Sequence, residues 1–168
     1  DAGILYQIPL DGGAPRQLSS TPAIEHHGTL STGPHAGRWF AYSSNESGTW
    51  QVYIRRFTPN GLAETKLQVS TVRGLYPKWK PDGSAIYFVG PNNQMMSASI
   101  RVTGEIVDIG QPRVLFDTKF MPVPTVRYSY DISRKSGRML LVKAQSAKHT
   151  TAMELIMNWT LLLSRPTQ

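Results

Sequence analysis

The stretch Tyr76-Pro77-Lys78-Trp79-Lys80-Pro81-Asp82-Gly83-Ser84-Ala85-Ile86-Tyr87-Phe88 decides how this chain is read. At its centre Pro81-Asp82-Gly83 forms a turn. Proline presets φ at the second position, the aspartate carboxylate accepts nearby backbone N–H groups, and glycine tolerates the conformation that follows. The runs on either side are rich in aromatic and β-branched residues, which suit strands. The reading is two strands, near 75–80 and 85–90, joined by a tight turn.

The pattern recurs. Gly37-Arg38-Trp39-Phe40-Ala41-Tyr42 and Gly137-Arg138-Met139-Leu140-Leu141-Val142 both match Gly83-Ser84-Ala85-Ile86-Tyr87-Phe88, with the glycines 46 and then 54 residues apart. A second register runs through Leu5-Tyr6-Gln7-Ile8-Pro9-Leu10, Val52-Tyr53-Ile54-Arg55-Arg56-Phe57 and Met95-Met96-Ser97-Ala98-Ser99-Ile100, whose starts lie 47 and then 43 residues apart. A four-stranded propeller blade repeats every ~40–45 residues. The expected fold is therefore all-β, a partial β-propeller of four-stranded antiparallel blades: about three blades plus the end of another.

Within the single domain 1–168, residues 1–20 read as the last two strands of one blade. A blade over 26–70 has strands near 28–32, 38–44, 50–57 and 65–70, with the turn formers Ser43-Ser44-Asn45-Glu46-Ser47-Gly48 between the middle two. A blade over 74–117 has strands near 75–80, 85–90, 94–102 and 112–116, with Gly90-Pro91-Asn92-Asn93 as its hairpin. The C-terminal blade, 126–163, has strands near 127–133, 138–144 and 152–159. A helix over 152–163 competes there, because Met, Glu and Leu favour helix while Ile156, Trp159 and Thr160 favour strand.

Composition agrees with many short strands. Only 17% of the residues are charged, and 14 Gly and 12 Pro supply the turns. With no cysteine, disulfides and thiolate metal sites are excluded. No run approaches the ~18 apolar residues of a membrane helix, so direct membrane insertion is not expected. The net charge of +7 raises nucleic acid as a partner. The densest basic group, Arg55, Arg56, Lys66, Arg73, Lys78 and Lys80, is spread over several strands and reads as a solvated face.

Tyr76 through Gly83, followed by Ile86-Tyr87-Phe88, resembles the P-x-W-S-P-D-G-x-x-I-x-F repeat of TolB-like (WD-like) β-propellers. Gly37 through Gly48 is similar to the same repeat, and Gln51-Val52-Tyr53-Ile54-Arg55 to its third strand. Val114-Leu115-Phe116-Asp117, Tyr130-Asp131-Ile132-Ser133 and Leu155-Ile156-Met157-Asn158-Trp159 resemble the closing blades of a bacterial group. There the propeller follows a transmembrane serine/threonine kinase or a DNA-binding domain. The resemblance implies a periplasmic or extracytoplasmic module, joined to further blades of a longer chain. Two turns depart from the repeat: Ser31-Thr32-Gly33-Pro34-His35-Ala36-Gly37 and Ser133-Arg134-Lys135-Ser136-Gly137 both lack the aspartate, and both are expected to be looser.

Catalytic constellations are not found. The nucleophile motif G-x-S-x-G is absent, since Gly28-Thr29-Leu30-Ser31-Thr32-Gly33 has its serine one place late. No phosphate-binding loop occurs, and Asp11-Gly12-Gly13 is a hairpin turn. His26 and His27 are adjacent, with His35 nearby. Neighbours on a strand point to opposite faces, which argues against a shared metal; His149 sits in a polar loop. Asp82, Asp117 and Asp131 read as turn or blade-edge residues. The sequons Asn45-Glu46-Ser47 and Asn158-Trp159-Thr160 are coincidental in a bacterial protein. Trp39 and Trp79 are expected in the core between blades, whereas Trp50, Arg55 and Arg73 are the candidate exposed interaction residues. Pro81, Asp82 and Gly83 are structural.

The sequence thus leads to a non-catalytic module for protein interaction or ligand sensing, with no cofactor, no metal and no nucleic acid, its partner a protein or a small ligand. Two other readings stay open: the propeller of a prolyl-oligopeptidase-type serine peptidase without its hydrolase domain, and a periplasmic TolB-type scaffold.

Overall fold

The computed structural model describes residues 3–118 and 130–141. These residues form an all-β structure, with thirteen strands, two short 3-10 turns and no α-helix among them. Strands β1 (Tyr6–Gln7) and β2 (Arg16–Gln17) form an antiparallel ribbon. Strands β3 (Glu25–Leu30), β4 (Trp39–Ser44), β5 (Gln51–Thr58) and β6 (Gly61–Gln68) follow as a four-stranded antiparallel meander in sequence order. A second sheet contains β7 (Leu75–Trp79), β8 (Ala85–Val89) and β9 (Gln94–Thr103), and its fourth place is shared. β10 (Ile106–Ile109) pairs with the C-terminal half of β9 and β11 (Arg113–Asp117) with its N-terminal half. Strands β12 (Tyr130–Ile132) and β13 (Met139–Leu141) form a last ribbon. None of these sheets closes on itself.

The central strands are apolar on both faces because both faces are covered. β4 is buried throughout, and β5 from Gln51 to Ile54. The edge strand β6 carries Glu64, Thr65 and Lys66 in solvent, where charge discourages pairing with another chain. Between the two meanders lies the largest core: Trp39, Ala41, Val52 and Ile54 from the first sheet pack on Trp79, Ile86, Phe88, Met96, Ala98 and Ile100 from the second. Trp39 and Trp79 are 6% and 5% exposed, buried between sheets as expected. Burying each such side chain contributes about 1.5–3 kcal/mol before entropy is charged. The other face of the first sheet, Phe40, Tyr42 and Tyr53, takes Leu5 from the N-terminal ribbon. The far face of the second, Val89 and Met95 with Tyr76 and Tyr87, takes Tyr130, Ile132, Met139 and Leu141. The sheets therefore stack face to face in chain order.

Three expectations need correction. β6 begins at Gly61 rather than 65, because the two residues Pro59-Asn60 suffice to turn the chain. β10 was not foreseen: Gly104, at φ +61, reverses the chain directly after β9 and makes an added hairpin. β3 covers Glu25–Leu30 rather than 28–32, since it starts three residues earlier against Ser44. Of the C-terminal blade, the strand at 152–159, the competing helix at 152–163, residues 127–129 and 142–144, and His149, Leu155, Asn158 and Trp159 lie outside the described residues.

Candidate functional site

The turn at Pro81-Asp82-Gly83 joins β7 to β8 at one end of their strands. Gly83 N–H donates to Lys80 O (2.8 Å), and Ser84 donates from N and Oγ to Asp82 Oδ1 (2.9 and 2.6 Å). Lys80 Nζ lies 2.7 Å from Asp82 Oδ2. With Lys80 first and Ser84 second, these donors hold the Asp82 carboxyl at about 2. The neighbouring loop 31–37 leans on this turn, with Thr32 Oγ1 donating to Lys80 O at 2.6 Å. The approach is so close that a Cβ on Gly33 would stand 2.3 Å from Asp82 O, and one on Gly83 2.5 Å from Thr32 O. Where the repeat lacks its aspartate, serine hydroxyls take over. Ser31 Oγ accepts from Trp39 N (3.0 Å) and donates to His35 O. Ser133 Oγ accepts from Ser136 N (3.2 Å). The expectation of looser turns did not allow for this substitute.

The opposite end gathers rings. His27 and Tyr76 are non-glycine residues at φ +59 and +58, each inside a β-bulge of a first strand. The bulge overturns the alternation expected of His26 and His27. One extra residue lets both rings face each other, with centroids 3.8 Å apart. His26 stacks on Trp50 (4.4 Å, 24° between planes), and His27 meets Tyr76 at 4.3 Å. Among the described residues no three His, Asp or Glu side chains are grouped to hold a metal.

Of the three expected interaction residues only Arg73 is exposed. Trp50 is half-buried because His26 covers one face of its indole. Arg55 is half-buried because its Nε donates to Ala63 O (2.5 Å) on the neighbouring strand. Trp50 and Arg73 share the ring-bearing end, where Gly74 N–H donates to Trp50 O (2.9 Å); Arg55 lies mid-strand opposite Lys66, apart from them. Four of the six clustered basic residues are ion-paired: Arg56 with Glu105, Lys66 with Glu46, Lys78 with Asp131 (3.2 Å) and Lys80 with Asp82. Three of these pairs tie strands or sheets together, and the fourth, Lys80 with Asp82, closes its own turn. Two buried phenols that sequence reasoning passed over are also structural. Burial, with Glu25 next, keeps the Tyr42 hydroxyl protonated. Burial does the same for Tyr130, whose one OH proton lies within reach of both Tyr76 O (2.5 Å) and Tyr87 O (3.0 Å).

The sequence matches no model of a known protein family, and no curated protein matches it.

Proposed function

We propose that the chain is a run of β-propeller blades, non-catalytic, that serves protein interaction or ligand sensing, as the TolB-like resemblance suggests. One observation carries this reading: the first three strands of the two meanders correspond, strand by strand. In the second strands Trp39 and Tyr42 correspond to Ala85 and Phe88, an offset of 46; in the third, Tyr53 corresponds to Met96, an offset of 43. Both offsets satisfy the observed pairings Tyr42 with Tyr53 and Phe88 with Met96. In the first strands His27 corresponds to Tyr76 at an offset of 49, bulge for bulge. Corresponding faces also point the same way along the stack. A repeated unit that buries each face on its neighbour is the design of propellers and other repeat folds.

The end that bears Trp50 and Arg73 is the surface proposed for contact with a protein partner or small ligand. The ion pairing of the basic residues favours either over nucleic acid. No helix among the described residues is long and apolar enough to cross a membrane. Placement in the periplasm or another extracytoplasmic space, as the sensor part of a receptor kinase or a TolB-like protein, rests on the resemblance. The test is a panel of peptidase, esterase and phosphatase assays on the purified chain, with background rates expected. Turnover abolished by substituting one Ser, His or Asp would overturn the reading.

A further inference from the structure

The correspondence between the two meanders has one conspicuous exception. Where the first sheet has Trp39 and Ile54, the second has Ala85 and Ser97. Trp39 and Ile54 fill the space between sheets. At the corresponding face of the second sheet, beside the ribbon of β12 and β13, there is instead a cavity of about 440 Å³. Ligand pockets for small molecules begin at ~300 Å³.

Its walls are rich in donors. Lys80, Ser84, Tyr87, Ser97, Ser99 and Arg113 line it, and no carboxylate does. Arg113 is exposed and its side chain makes no hydrogen bond or ion pair among the described residues, so its five guanidinium N–H donors are unspent. Lys80 gives one N–H to Asp82 and one to Ser84 Oγ (3.1 Å), which leaves a third. Asp82 offsets the Lys80 charge, so Arg113 is the uncompensated cation of the cavity. Its donors, the remaining Lys80 N–H and the Ser97 and Ser99 hydroxyls outnumber the roughly four lone pairs of a carboxylate. A phosphate monoester, with three terminal oxygens and a negative charge, fits the donor number and the sign.

We propose that this cavity binds a small molecule bearing a phosphate monoester, gripped by the Arg113 guanidinium and Lys80 ammonium and lined by the Ser97 and Ser99 hydroxyls. The site stands on the cavity and its donors, independently of the propeller reading. The experiment is an NMR titration of the 168-residue chain with glucose 6-phosphate, with inorganic phosphate and glucose in parallel. Saturable shifts confined to the neighbourhood of Ser84, Ser97 and Arg113 are expected with both phosphates and none with glucose. Arg113→Gln should weaken binding at least about tenfold, the loss of one charge-assisted contact, while substitution of the exposed Arg38 beside the first sheet, Arg38→Gln, leaves it unchanged. Ser97→Ile, which restores the residue of the first sheet, should fill the cavity and abolish binding while the circular dichroism spectrum is kept. Absence of saturable shifts, equal weakening by the two arginine substitutions, or tighter binding of a phosphoserine peptide than of the sugar phosphate would overturn the assignment.

Discussion

Gly37 and Gly83 occupy the same place in successive units and share a left-handed backbone, φ +73 and +75. Their surroundings differ. A Cβ on Gly37 meets nothing within 4 Å, whereas on Gly83 it strikes the Thr32 carbonyl. Gly37→Ala should therefore cost only the conformational penalty, about 1–2 kcal/mol. Gly83→Ala should cost clearly more, because backbone cannot step aside; paired denaturant melts check the difference. Asp82, one residue earlier, gives a pH signature. Its carboxyl titrates at about 2 when folded against an ordinary 3.8. A depressed folded value means stability present above the ordinary pKa and lost as pH falls through the folded one. Asp82→Ala should cost about 0.5–2 kcal/mol near neutral pH, by analogy with other local side-chain caps. The charge-dependent part of that gap should shrink between pH 3.8 and about 2, which melts of both proteins across the acid range would follow.

Among the elements, β12 is tied to the second sheet by one hydroxyl. Tyr130 is 3% exposed, and its OH serves the carbonyls of both Tyr76 and Tyr87. Tyr130→Phe leaves the ring packed but removes this buried hydrogen bond, for an expected loss of about 1–3 kcal/mol in thermal or chemical unfolding. The strands themselves were largely legible in the sequence. β4, β5, β8 and β9 lie within about a residue of their expected limits, since strands buried on both faces are written as continuous apolar runs. β10 escapes the sequence reading although the Gly104-Glu105 turn is a usable signal, because Ile106-Val107-Asp108-Ile109 is only four residues long. Sequence alone could not supply the ring cluster. Trp50 reaches His26 across the sheet, and a bulge is invisible to a strict alternation rule. The phosphate-site cavity was legible in principle: aligning the units shows Ala85 under Trp39 and Ser97 under Ile54.

At the scale of the whole molecule, the described residues carry exposed apolar side chains toward both ends of the stack. Ile8 is 64% exposed at one end and Leu140 72% at the other, and none of the sheets among the described residues closes on itself. Leu5, by contrast, is half-buried against the first sheet. Such faces and open strand edges drive association. The 168-residue chain should therefore self-associate as its concentration rises. Size-exclusion chromatography with light scattering reads this directly, and a monomer at every concentration would contradict it.

The bulges at His27 and Tyr76 bear on how such units could have been copied and edited. Adding or deleting one residue within β4 or β5 would turn the remaining side chains inside out. Each bulge already holds two residues opposite one, so it is the place in the unit where losing a residue leaves the in-and-out order beyond it intact. Both units hold the surplus residue, with a ring on it each time, so the bulge is a fixed point from which the reading frame of faces is counted, while the hairpin ahead of β9 is three residues shorter than that ahead of β5.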